Sequence, residues 1–138
     1  MIDYVNPERD VFKAFAEKKS DNPIHMLNLI KLNETASYED GALVSGKEAY
    51  AAYGRRSGPV FQRVGGRIVW SGAFDLTLIG PQDEVWDIAF IAEYPNSDAF
   101  IEMVKDEEYQ LAVKHRNVAV KTSRLIRISP NEAGNTFG

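Results

Sequence analysis

The chain predicts an α+β fold, a ferredoxin-like βαββαβ sheet with its helices on one face. Three observations carry that prediction. Apolar runs of strand length and amphipathic helical stretches follow each other in the order strand, helix, hairpin, helix, strand. Two of those strands, Ile24–Leu32 and residues 85–94, are apolar on both of their alternating faces, so each needs cover on both sides. The length of 138 residues, 44% of them hydrophobic, suits one domain with a real core.

Each element has its own signal. Residues 7–19 read as a short helix, with Pro7 in the first turn and Val11, Phe12, Phe15 and Ala16 on one apolar stripe. Asp21, Asn22 and Pro23 break the chain before the strand Ile24–Leu32, which carries Met26 and Ile30 on one side and Leu27 and Leu29 on the other. Residues 33–45 are polar without a period and read as a loop. Ser45 then stands as an N-cap, with Glu48 in the capping-box position. The helix over residues 47–64 has an inward stripe of Tyr50, Tyr53, Ser57, Val60, Phe61 and Val64, and Pro59 is expected to kink or restart it. Gly65 and Gly66 supply its left-handed stop.

Residues 67–79 read as a long strand that can bend at Gly72, residues 80–84 as a turn, and residues 85–94 as the antiparallel partner. That partner carries Trp86, Ile88 and Phe90 on one side, Ala89 and Ile91 on the other. Pro95 ends the pairing, and Asn96 or Ser97 caps a helix with inward Phe100, Met103 and Val104. Asp106, Glu107 and Glu108 place negative charge where a second helical segment, reaching to about Ala119, begins. Residues 122–128 form the last strand. The division expected is a helical extension over residues 1–22, the sheet domain over 23–128 and a loose polar tail over 129–138.

Composition excludes several function classes. The net charge is −4, and the lysines and arginines are scattered among carboxylates, which argues against a nucleic-acid surface. With no cysteine there is no disulfide framework, thiolate metal site or thiol nucleophile. The two histidines, His25 and His115, are far apart in sequence, so no metal site is expected. Gly65 and Gly66 precede a strand rather than a helix and make no phosphate loop, and Ser45-Gly46 lacks the preceding strand of a nucleophile elbow. No cofactor site is read. The first ten residues hold three acids and no apolar run, so no leader, transmembrane helix or membrane partner is expected, and the expected address is cytoplasmic.

Several strings together resemble a known family. They are Met26-Leu27-Asn28-Leu29, Ser45-Gly46-Lys47-Glu48-Ala49-Tyr50, Gly65-Gly66-Arg67, Trp86-Asp87, Tyr94-Pro95, Tyr109-Gln110, His115-Arg116 and Ser123-Arg124-Leu125. In order and spacing they are similar to the bacterial domain of unknown function 1330 family, over roughly residues 23–128. The resemblance implies a dimeric α+β barrel in which two sheets enclose a central cavity, and it implies no reaction. The two-faced strands lead separately to the same partner, since a second copy of the sheet is the simplest cover for the helix-free face.

The residues that bear chemistry are few. His115 is the one histidine on a helix and the candidate to move a proton, beside its plain reading as a cation at a helix C-terminus. Arg116 has Ala112 and Val113 one turn back, so its partner is tertiary, either Asp87 or an anionic ligand; the ion pair with Asp87 is the expectation. Asn28 is an amide in an apolar strand, tied to local backbone or pointed into a cavity. Fold relatives that are cofactor-independent or haem-degrading monooxygenases place an asparagine, a tryptophan and a histidine around substrate. Asn28, Trp70 or Trp86, and His115 superficially resemble that set, although Trp86 and His115 are too far apart in sequence to match it. His25 reads as structural.

Two functions stand side by side. In the first, an enzyme without a cofactor, an isomerase or monooxygenase-like protein, holds a small anionic or aromatic compound near the dimer contact. Asn28 and Tyr53 orient it, Trp70 and Tyr109 wall it, Arg116 or Arg124 neutralises its charge, and His115 moves the proton. In the second, the same residues form the internal network of a non-catalytic dimeric module, structural or ligand-sensing. An open, partly polar cavity reached by His115 and Arg116 separates the first from the second.

Overall fold

The computed structural model describes residues 2–137. The elements are α1 (Arg9–Glu17), β1 (Ile24–Leu32), β2 (Thr35–Ser37), β3 (Leu43–Ser45), α2 (Gly46–Arg63), β4 (Arg67–Gly72), β5 (Ile88–Tyr94), α3 (Ser97–Lys105), α4 (Glu107–Ala119) and β6 (Val120–Ile128). The four long strands make one antiparallel sheet in the order β4-β5-β1-β6, the ferredoxin-like arrangement.

Register sorts the side chains between two faces. Ile24, Met26 and Asn28 of β1 stand opposite Tyr94, Ala92 and Phe90 of β5, and these six turn toward the helices. They meet Val60 and Val64 of α2, Phe100 and Met103 of α3 and Tyr109 of α4 in the principal core. Leu27 and Leu29, Ala89 and Ile91, and Ile126 and Ile128 fall on the other face, which no helix among the described residues covers; Ile126 and Ile128 are exposed. Both faces are therefore apolar.

Four local expectations meet a different outcome. Residues 33–45 are not a plain loop, because Thr35–Ser37 pairs with Leu43–Ser45 in a small hairpin over Ala36, Ala49 and Ala119. Strands of three residues are too short to show a period. Helix α2 runs unbroken through Pro59. Gly58 precedes it and has no Cβ to clash with the proline ring, which removes the usual restriction on that residue. The long strand expected over residues 67–79 ends at Gly72, and residues 73–87 form an irregular connection held by Thr77 and Gln82 bonding to carbonyls within it. Helix α1 begins at Arg9, so Pro7 lies ahead of the helix rather than in its first turn.

The caps follow the local sequence. Ser45 Oγ accepts from Glu48 N at 3.0 Å, Asn96 Oδ1 from Ala99 N at 2.8 Å, and Asp106 Oδ1 from Glu108 N at 2.8 Å. Gly65, at φ +90°, turns the chain out of α2 into β4. The N-terminal segment is part of the packed body: Ser123 N donates to Tyr4 O at 2.7 Å along the β6 edge, and Phe12 and Phe15 pack on the core. Among the described residues no helix is long and apolar enough to cross a membrane.

Candidate functional site

Between the inner face of the sheet and the helices lies an open cavity of about 1680 Å³. Its floor is Met26, Asn28, Phe90 and Ala92, its roof is α2 and α4, and residues 4–8 and α1 close one side. The space exists because α2 presents Gly54, Ser57 and Gly58 to it. A Cβ built on Gly54 or Gly58 meets nothing within 4 Å, so the helix stands off from the sheet there instead of packing on it. Only the fold shows that these glycines face one void.

The polar groups in this apolar space are few. Asn28 donates Nδ2 to Met26 O at 3.0 Å and still lines the cavity, so both readings of that amide hold at once. Tyr53 and Tyr109 share a hydroxyl–hydroxyl bond of 2.8 Å across the α2–α4 contact, with their rings edge to face. Tyr50 packs its ring on Tyr53, and Tyr94 directs its hydroxyl at Met103 Sδ. Burial pushes the phenols of Tyr50, Tyr94 and Tyr109 far above the ordinary tyrosine range, with the neighbouring Tyr53 adding to the rise. The positive charge of Arg116 pulls Tyr50 and Tyr109 the opposite way, less strongly. All three are neutral donors at neutral pH.

Arg116 corrects the sequence expectation. It makes no pair with Asp87. Asp87 is exposed and its Oδ2 accepts from Leu32 N at 2.7 Å, while Arg116 bonds to the Val5 carbonyl and, at 3.4 Å, to Ser123 Oγ. The reason is positional: residues 4–8 lie over the C-terminal half of α4 and reach the guanidinium first, a contact between residues 111 apart in the chain. Arg124 stands at the cavity rim with its guanidinium 5.0 Å from the Tyr4 ring and 5.3 Å from the Trp86 ring. Its charge is taken up by two aromatic faces.

Two expected site residues are elsewhere. His115 lies on the far side of α4, sharing a 2.7 Å hydrogen bond through Nδ1 with Tyr38 OH in the turn of the small hairpin; it is not among the cavity residues. Arg116 follows it immediately, and a turn of about 100° per residue separates their directions on the helix. Trp70 is 51% exposed and pairs with Ile91, on the outer face of the sheet. A register shift between Ile68 and Trp70 puts it there: Ile68 stands opposite Ala92 on the inner face, and simple alternation would have kept Trp70 with it. The cavity thus gathers Asn28, Tyr53, Tyr109, Arg116 and Arg124, and leaves out His115 and Trp70. Tyr4, Val5 and Phe12 of the N-terminal segment, which read as an extension, are cavity walls. No group of three or more His, Cys, Asp or Glu side chains among the described residues is placed to hold a metal ion.

Fold and cavity together define a ferredoxin-like α+β protein with a large open void between sheet and helices. Residues 42–128 match the domain of unknown function (DUF1330), and the chain belongs to that family. The protein of unknown function RPA0582 from Rhodopseudomonas palustris is 54% identical, and its crystal structure superposes with a TM-score of 0.92 over 96% of this chain and 100% of that one. Methylated RPA0582 matches at 54% identity and a TM-score of 0.95, over 98% of this chain and 100% of that one. An uncharacterised NIPSNAP-like domain protein from Burkholderia xenovorans, 14% identical with a TM-score of 0.51 over 86% of this chain and 94% of that one, shares the fold alone. No curated protein matches the chain.

Proposed function

We propose that this protein binds a small organic molecule in the cavity and works as a homodimer joined through the outer faces of its two sheets. The cavity carries the reading. Ligand sites are concave, mostly apolar and marked by a few convergent polar groups, and they commonly span about 300–1,000 Å³. The space of about 1680 Å³ under α2 exceeds that range, and Asn28, Arg116 and the Tyr53–Tyr109 pair are its convergent groups. A void of this size lined by core-type side chains forgoes packing contacts that an occupant restores.

Binding is favoured over turnover by what faces the space. Its side chains supply hydrogen-bond donors: a guanidinium and phenols that burial keeps protonated. The carboxylates at the rim, Glu8 and Asp87, are exposed, and His115 points elsewhere. Such a donor set holds an oxyanion. An isomerase or a cofactor-independent oxygenase would use it to hold a stabilised carbanion, with the proton acceptor supplied by the substrate or the partner; a sensor would use it only to bind.

Gly54 provides the test. Titration with the neutral apolar fluorophore N-phenyl-1-naphthylamine is expected to give saturable enhancement in the wild type. Gly54→Trp places an indole in the open space beneath α2, where a Cβ meets nothing within 4 Å and no proline follows, and it should remove the enhancement while circular dichroism stays native. Enhancement unchanged in the folded variant would place the probe outside the cavity and refute the reading.

A further inference from the structure

We infer that the ligand of this cavity is an apolar carboxylate, and that Arg116 holds its anionic head; the inference rests on the cavity-binding reading above. Arg116 is half-buried, and among the described residues no carboxylate oxygen lies within 4.0 Å of it. Its bonds go to two neutral oxygens, the Val5 carbonyl and Ser123 Oγ. A guanidinium has five donor hydrogens, so these two acceptors leave most of the fork unused. Desolvating a cation without a counter-charge is costly, and an anion entering the cavity removes that cost.

The groups around Arg116 point to the same chemistry. Asn28, Tyr50, Tyr53, Tyr109 and Arg116 line the same cavity, and the charge of Arg116 reaches Tyr50 and Tyr109. In the Tyr53–Tyr109 pair one hydroxyl hydrogen is used between the two rings, and the other remains for an outside acceptor. Asn28 spends one amide hydrogen on Met26 O and keeps the second. Every spare hydrogen here seeks an oxygen.

The class of anion follows from charge and shape. Arg124 lies on the Tyr4 and Trp86 rings, Arg127 on the Phe15 ring, and Lys18 is exposed, so among the described residues Arg116 is the half-buried cation of the lining held by neither an aromatic face nor a carboxylate, which suits a monoanion. A planar guanidinium fork matches the two oxygens of a carboxylate. The remaining walls, among them Phe90, Phe100 and Met103, call for an apolar body, aromatic or alicyclic.

The experiment compares 1-naphthoate with 1-naphthamide, which share shape and differ in charge, by calorimetric titration of the full chain. The wild type is expected to prefer the carboxylate by about tenfold or more. Arg116→Met should erase that preference while keeping the affinity for the amide, and Arg116→Lys, which keeps the charge but not the fork, should retain part of it. Equal affinity of the wild type for both compounds overturns the carboxylate inference and leaves the cavity reading standing. Failure of both compounds to bind overturns the two together. A preference that persists in folded Arg116→Met, or in Gly54→Trp, overturns the assignment to Arg116 or to this cavity. Should Arg116→Met not fold, Arg116→Lys and the wild-type comparison decide.

Discussion

Glu93 shows how one residue ties the outer face of the sheet together. Its Oε2 accepts from His25 Nε2 at 2.8 Å and its Oε1 from Arg67 Nε at 2.9 Å, and those two bonds hold the carboxyl below its ordinary range against a small opposing effect of burial. His25 and Arg67 are the titratable or charged partners within reach on β1 and β4. The sign follows from linkage. A carboxyl whose folded pKa lies below its unfolded value contributes stability above the unfolded value, about 4.5, and loses it as pH falls through the folded one. Urea unfolding of the wild type is therefore expected to weaken from pH 5 to pH 3 more steeply than that of Glu93→Gln. Parallel pH profiles for the two would show that the triad contributes nothing. His25 was legible as structural because it opens a strand; its partners were not, since they lie on two other strands.

At the scale of the element, α2 makes the cavity and depends on one tight junction. Gly46, its first residue, is buried, and a Cβ there would sit 1.8 Å from the Asn33 carbonyl oxygen. That oxygen is backbone and cannot swing aside. Gly46→Ala is expected to destabilise the chain by more than the loss of the Ser45 cap, which Ser45→Ala should put at about 1 kcal/mol. Chemical denaturation of the two variants checks the order, and a Gly46→Ala protein as stable as Ser45→Ala would mean that the junction shifts freely. The capping box was readable from Ser45 and Glu48 alone, because a cap is a contact between residues three apart. The clash at Gly46 was not, because Asn33 reaches it only once the β2–β3 hairpin has folded back.

For the whole molecule the decisive feature is the sheet face that no helix among the described residues covers. Leu27, Leu29, Ala89, Ile91, Ile126, Ile128 and Trp70 belong to it. Apolar surface in water costs about 25 cal/mol per Å², and a stable pair buries about 800 Å² on each partner. Sedimentation velocity at micromolar concentration is expected to show dimers for the wild type and monomers for Leu29→Lys/Ile91→Lys, which places charge at the centre of the face. A folded wild-type monomer at those concentrations would sink the dimer. Loss of the dimer in the double variant with naphthoate binding intact would separate the interface from the cavity.

Local and periodic information in the chain determined the order of the long strands and the helices, the cap at Ser45, a cap at Asn96 or Ser97, the acidic start of α4, the inward stripe of α2 and the two-faced apolar strands. Each of these depends on residues a few positions apart. The tertiary structure alone decided which polar groups meet. Val5 reaches Arg116 before Asp87 can, a bulge at β4 turns Trp70 outward, and one step along α4 sends His115 to Tyr38 while Arg116 lines the cavity. Those outcomes turn on register shifts of one residue and on contacts between residues more than seventy positions apart. A one-residue slip reverses the face a strand side chain occupies, and no local pattern encodes it.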